Sequence, residues 1–454
     1  MITDENLLLE LCRHIVASGK GLGATAVEVH ASSGTSVEAN IELSQVSGVN
    51  RTLSNGVAVR VYVGSKMGCA FTNMATKRAG GEAVGLAFNA ARATTEDSEW
   101  VDLPRPTGFP VVHGLWEDST AQCEPASVVS YAKELMDRVK EREPRLIPAY
   151  GGSGVQVQRS AYANSNGLGH AERGTIAYVG LQAIAQTETG VTPGVGHYDI
   201  RRGLGFDFDA AVEDIVSTVR VCIKSVEGES GKSTVIMHPD AYNQLFQFTL
   251  FQSIRGDNVA RGKSMIADRL GDSIAWEGLT VVDDGTFIKG VNASVADDEG
   301  VPRRRTPLIE KGVLRSFIWD TYWANRMGVE STGNASRNMR QGLVEITPSN
   351  VVVEPGRRQI VDIVSEVDRG YLIRDVQGAH SSNPESGDFS VVGNPAILIE
   401  DGEMKGIVPG LMVAGNIFTL LENAVEVART PQVVFGLIGP EVVFQDVSVI
   451  ARGQ

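Results

Sequence analysis

Apolar residues recur along the chain first at helical spacing and then in alternation, with glycine, proline and acidic residues between the runs. Leu7, Leu8, Leu11, Ile15 and Val16 step by three and four, which predicts a helix over 5–17. Asp4 is placed to cap it, and Gly19 and Gly21 to end it. Alternating segments over 26–31, 36–43, 57–63 and 67–72 read as strands, the last two joined by a turn at Gly64-Ser65-Lys66. A helix over 75–93 closes this unit. Residues 94–117 carry Pro104, Pro106 and Pro110 among acidic residues and read as an extended linker.

A second unit repeats the order. A helix over 125–141 turns Val128, Val129, Ala132, Leu135, Met136 and Val139 inward. Strands around 154–162 and 175–186 follow, joined through Asn164-Ser165-Asn166-Gly167, and then a helix over 208–225. Helix, strands, helix occurs twice, which suggests two related halves without a visible sequence repeat.

A third unit opens with an apolar strand over 234–237. His238-Pro239-Asp240 leads into a helix over 241–255, with Asp240 as its expected cap. Tyr242, Leu245, Phe246, Thr249, Leu250 and Ile254 form its apolar face. Gly256-Asp257, a polar loop and a strand ending in Val281-Val282-Asp283-Asp284-Gly285 come next. Further strands are predicted over 351–353, 360–364, 371–374, 389–392, 396–400 and 411–414, with a helix over 417–427. The fold class is α+β: helix-flanked antiparallel sheets in the N-terminal half and a strand-rich C-terminal domain. The predicted domains are 1–112, 113–229 and 230–454.

Composition narrows the function classes. The chain has 454 residues, enough for several cores, and its 50 glycines favour turns and strands. With 41 Lys and Arg against 55 Asp and Glu, the net charge is −14, which argues against a nucleic-acid footprint. The basic run Arg303-Arg304-Arg305 reads as a solvated loop. Cys12, Cys69, Cys123 and Cys222 are far apart with no Cys-x-x-Cys pair, as expected of reduced thiols in a cytoplasmic protein. No apolar run approaches a membrane span, and no basic-then-apolar leader is seen at the start. A soluble, cytoplasmic protein that binds neither nucleic acid nor membrane is expected.

Candidate chemistry is sparse. His14 and His30 read as surface or boundary residues, and His238 as a turn or cap residue. His170 and His197 could meet in space, but two imidazoles make an incomplete zinc site. His380, in a Gly-Ala-His-Ser-Ser-Asn loop, is a candidate for facing a substrate cavity. Ser331, Thr332 and Asn334 flank Gly333 and could hydrogen-bond a peptide backbone or serve only as loop structure. Asp283 and Asp284 could pair as acid and base, although Asp-Gly is a turn signal. No Gly-x-Ser-x-Gly elbow or phosphate loop is present.

The segment 241–285 and six blocks after it carry a family resemblance. The blocks include Asp298-Glu299-Gly300-Val301-Pro302, Ser331 to Arg337, Ser386-Gly387-Asp388-Phe389-Ser390 and Val413-Ala414-Gly415-Asn416-Ile417. In this order they resemble the TldD/PmbA family, over residues 232 to 430. Catalytic members of that family have a helix reading Leu-Leu-His-Glu-x-x-x-His-x-x-x-Gly-Asp. At its two His and one Glu this chain has Gln247, Gln252 and Phe248. An amide binds zinc poorly and a phenyl ring cannot act as a general base, so no catalytic residue and no metal ligand is expected here. Phe248 is expected to make an apolar contact instead.

The third zinc ligand of the catalytic kind is a C-terminal cysteine, and this chain has none after Cys222. The resemblance is therefore to the TldE/PmbA kind, without metal. It implies a silent subunit that joins a TldD-like zinc metallopeptidase and helps form a cavity for small, flexible or modified peptides. Zinc would then sit in the partner, with no cofactor in this chain. The alternative is a stand-alone homodimeric peptide-binding or scaffold protein.

Overall fold

The computed structural model describes residues 4–188 and 190–451. Helix α1 (Glu5–Gly21) begins where the Asp4 carboxylate accepts from the Asn6 amide, and runs one turn past its predicted end. Strands β1 (Ala26–Glu42) and β2 (Gln45–Val63) form a hairpin much longer than the predicted segments. Residues 26–31 and 36–42 belong to one strand, and Leu43, predicted as its end, lies in the turn. The intervening Ser32-Ser33-Gly34-Thr35 pairs with β2 on one side and with a later strand on the other, so every backbone group there finds a ladder. Strand β3 (Lys66–Thr72) and α2 (Lys77–Ala93), capped by Thr76, complete the first half.

The second half comprises α3 (Asp118–Ala121), α4 (Pro125–Arg142), β4 (Leu146–Asn164), β5 (Gly169–Thr187), β6 (Gly190–Val191), β7 (Val195–Arg201) and α5 (Phe208–Cys222). One sheet runs β3-β2-β1-β4-β5-β6, with β7 also on β5. The two halves meet at the antiparallel β1–β4 pair, so the predicted segments 1–112 and 113–229 share a sheet rather than stand as separate bodies. Odd-numbered residues of β1 all face the helices. Val27, Val29 and Ala31 lie under α1 and α2, and Val37, Ala39 and Ile41 under α4 and α5.

Glu28 and His30, at even-numbered positions, turn the other way, toward the C-terminal unit. Glu28 is bonded by Arg60 Nε, by Tyr162 OH at 2.7 Å and by Arg337 Nη2 at 3.1 Å. Arg60 Nη2 also donates to Glu299 Oε1 at 2.8 Å. This buried cluster ties β1, β2 and β4 to a loop at Glu299 and to the short strand Ala335–Arg337 of the C-terminal unit.

That unit begins with β8 (Gly231–Met237), which enters a nine-stranded sheet between Arg369–Ile373 and Val442–Ile450. Three short helices follow, α6 (Pro239–Phe248), α7 (Leu250–Ser253) and α8 (Gly256–Ala260), then β9 (Val281–Asp284) in a second, six-stranded sheet. Tyr242, Leu245, Phe246, Leu250 and Ile254 fill the core between the sheets. The strands predicted near 351, 371, 389, 396 and 411 form. Two expectations fail. Ile360–Val364 is a short helix, and 417–427 divides into a helix, Ile417–Glu422, and a strand, Ala424–Val427. Helix and strand make up 25% and 39% of the chain, and the mostly antiparallel sheets make it α+β. No helix among the described residues is long and apolar enough to cross a membrane.

Candidate functional site

The helix that carries the family motif does not run straight. His238, not Asp240, caps it: ring Nδ1 accepts from the Asp240 amide at 3.3 Å, and Nε2 lies 2.9 Å from Gln432 Oε1. Pro239 occupies the first helical position, where a missing N–H costs nothing. The predicted 241–255 helix breaks at Thr249, whose backbone (φ −131°, ψ −84°) is not helical. Thr249 Oγ1 donates to Leu245 O at 2.5 Å, a local bond that competes with helix continuation.

Positions five apart on a straight α-helix point about 140° away from each other. Here the Gln252 side chain reaches back across the break, its Nε2 donating to the Gln247 backbone O at 2.9 Å. Gln247 is exposed, Gln252 half-buried and Phe248 38% exposed. Phe248 is thus about three-fifths covered by the chain and offers the rest of its surface to solvent. The 3-10 turn Ala379–Ser381, with an exposed His380, packs on α6, as does the strand Gln432–Val434. The donors offered at the break are amides and carbonyls, with no imidazole, thiol or carboxylate at the motif positions. Among the described residues no group of three or more His, Cys, Asp or Glu side chains is placed to hold a metal.

The other candidates are scattered. Thr332 and Asn334 are buried. Thr332 Oγ1 donates to Asn334 Oδ1 at 2.6 Å, Asn334 Nδ2 donates to Asp283 Oδ2 at 2.7 Å, and Ser331 Oγ donates to Trp319 O at 3.1 Å. These polar atoms are engaged with the scaffold. Asp283 also accepts from Ser349 N and Oγ at 2.6 and 2.9 Å. Burial holds its carboxyl above the usual range against those bonds. Asp284 instead accepts from Thr286 N at 2.9 Å, so the pair shapes a turn and does not act as acid and base.

His30 is buried, not a surface residue, with Nε2 3.5 Å from Asp298 Oδ1. Burial lowers the His170 pKa to about 4. His197 Nδ1 lies 2.9 Å from Asp214 Oδ2, in a different part of the molecule, so the two histidines do not meet.

Two cavities stand out. One, of about 390 Å³, separates the charged face of the first sheet from the C-terminal loops and is lined by Gln156, Gln158, Glu172, Arg202 and Arg303 among others. The second, of about 260 Å³, opens beside α6 and is lined by Tyr198, Asp240, Asn243, Gln244, Asp375 and Phe435 among others. Sequence reasoning missed the second cavity. Gln244 and Asp375 are 131 residues apart, and no spacing rule connects them.

Family models for the PmbA/TldA metallopeptidase match residues 27–94 as domain 1, 121–223 as the central domain and 230–451 as the C-terminal domain. The chain belongs to the TldD/PmbA family. Its fold superimposes on the crystal structure of TldE from Thermococcus kodakarensis with a TM-score of 0.94, at 32% identity, covering 97% of this chain and 100% of that one. The metalloprotease PmbA of Escherichia coli O157:H7 is 24% identical over 441 residues, 91% of this chain and 89% of that protein. The metalloprotease TldD homolog of Buchnera aphidicola (Acyrthosiphon pisum strain) is 31% identical over only 195 residues, 43% and 40% of the two chains. Within the TldD/PmbA family, similarity to PmbA and TldE thus extends along nearly the whole chain.

Proposed function

We propose that this chain is the catalytically silent subunit of a two-component metallopeptidase, pairing with a TldD-like zinc-bearing chain to form the cavity for small, flexible or modified peptides. The observation that carries this reading is the broken helix at Thr249. Across the break the Gln252 side chain reaches the Gln247 backbone, both positions carry amides, and position 248 carries a partly exposed phenyl. Such a helix has a surface to present and no metal chemistry of its own. Phe248, an aromatic residue with over a third of its surface in solvent, is suited to an interface.

Co-expression with a TldD-like chain tests the reading. A stable heteromer, with peptidase activity that depends on both chains and zinc bound by the partner, is the expected result. Separate elution at micromolar concentration, with activity independent of this chain, would overturn it. In that case a homodimer binding peptide without cleaving it would favour the stand-alone reading.

A further inference from the structure

The cleft beside the first turn of α6 has a chemistry that the silent-subunit reading does not require. Its cavity of about 260 Å³ is contiguous, through Tyr198, Asp240 and Phe435, with a neighbouring hollow of similar size. Acceptors dominate the wall. Asp375 Oδ1 accepts from Gln244 Nε2 and Val376 N, both at 2.8 Å, while no donor among the described residues reaches Oδ2. Burial pushes the Asp375 carboxyl up to about 6, with nearby Asp240 adding to the rise.

Asp240 Oδ2 lies 3.1 Å from His238 Nδ1, which is a cationic partner only when protonated. Asn243 is 7% exposed, and its Oδ1 has no hydrogen-bond partner. Arg374 is the one cation lining this cavity among the described residues. It donates Nη1 and Nη2 to Asp214 at 3.0 and 2.9 Å, so its charge is already matched. The Tyr198 and Phe435 rings, 6.2 Å apart, wall the opening. Phe435 is 64% exposed and held there by a left-handed backbone (φ 51°), a conformation a bulky residue adopts only under constraint.

We propose that this cleft binds a primary ammonium group of a peptide, held by Asp375 and Asp240 beside the Tyr198 and Phe435 rings, with the buried, unpartnered Asn243 amide oxygen behind them. An ammonium is a compact cation with three donors, the complement of acceptors that lack hydrogens of their own. Aromatic faces attract the same charge. A guanidinium fits less well, because its fork seeks two free oxygens of one carboxylate and Asp375 Oδ1 already accepts twice. An anionic ligand would face carboxylates with no free cation beside them.

The test uses the full chain alone, so it stands apart from whether a TldD-like partner exists. Calorimetric titrations at pH 7.5 and low salt compare Ala-Ala-Ala-amide, its N-acetylated form, and N-acetyl-Ala-Lys-Ala-amide. At least one amine-bearing peptide should bind ten-fold or more tightly than the neutral acetylated one. Which peptide it is distinguishes an α-amino terminus from a lysine side chain. Asp375→Asn and Asp240→Asn, each checked for native circular dichroism, should weaken that binding about ten-fold. Equal affinity for the neutral peptide, no binding of either amine, or full affinity in both variants would overturn the proposal.

Discussion

Glu28 offers the sharpest test of how the two parts of the molecule are held. Burial alone would raise its pKa, but Arg337 and Arg60 overcome that and bring it from 4.5 down to about 2. That lowering corresponds to roughly 3 kcal/mol in favour of the ionised carboxylate. A second route gives a similar figure. Glu28→Gln leaves the Arg337 and Arg60 guanidinium groups buried and short of a partner, and breaking a buried pair on one side costs about 3–5 kcal/mol. Arg60 keeps Glu299, so the lower end applies. A loss of about 3 kcal/mol at pH 7 is expected in urea denaturation, or roughly 3 °C in Tm at about 1 °C per kcal/mol for a chain of 454 residues.

The sign of the pH effect is fixed by the direction of the shift. A lowered carboxyl pKa stabilises fully above pH 4.5, and that stability drains away as pH falls toward 2. The gap between parent and variant should therefore close over this window, whatever other carboxylates contribute to both. A difference below about 1 kcal/mol at pH 7, or a gap that stays constant from pH 5 to pH 2, would refute the idea that the cluster clamps the sheet to the C-terminal unit.

Other outcomes follow from the site. Restoring the helix with Gln247→His, Phe248→Glu and Gln252→His should change stability by less than about 1 kcal/mol, because Gln247 and Phe248 are exposed, and should create no peptidase. Chelator-sensitive cleavage by that variant alone would mean a third ligand is already in place. His238→Ala should cost about 1–3 kcal/mol in thermal melts, since it removes the α6 cap and strands the Gln432 carbonyl oxygen. Cys12 and Cys222, whose thiols burial pushes up to about 12, should resist iodoacetamide at pH 8 until urea is added. Ammonium binding in the α6 cleft should weaken as pH falls through about 6, because Asp375 becomes neutral among Asp240, His238 and Arg374, and titrations across pH 5–8 would show it.

Elements that close on themselves were legible in the sequence. The Asp4 cap, the stripe of Val128, Ala132, Leu135, Met136 and Val139, and the turns at Gly64 and Asn164–Gly167 are local, and local physics suffices for them. The amides at 247 and 252 and the phenyl at 248 were legible for the same reason, since side-chain chemistry does not depend on the fold. Ile360–Val364 was misread because β-branched residues suggested a strand. Its Ile360, Ile363 and Val364 lie at steps of three and one, and the two buried ones sit on a single helical face.

Tertiary structure decided the rest. Ser32–Thr35 reads as a break in isolation, but β2 and β4 on either side satisfy its backbone and make β1 continuous. Thr332 and Asn334 look like exposed polar residues until Asp283, far away in sequence, draws them inward. The α6 cleft exists only because β7, α6 and the segments around Asp375 and Phe435 converge. Hydrogen bonds and burial between distant segments are set by packing, and hydrophobic periodicity carries no information about which segments will meet.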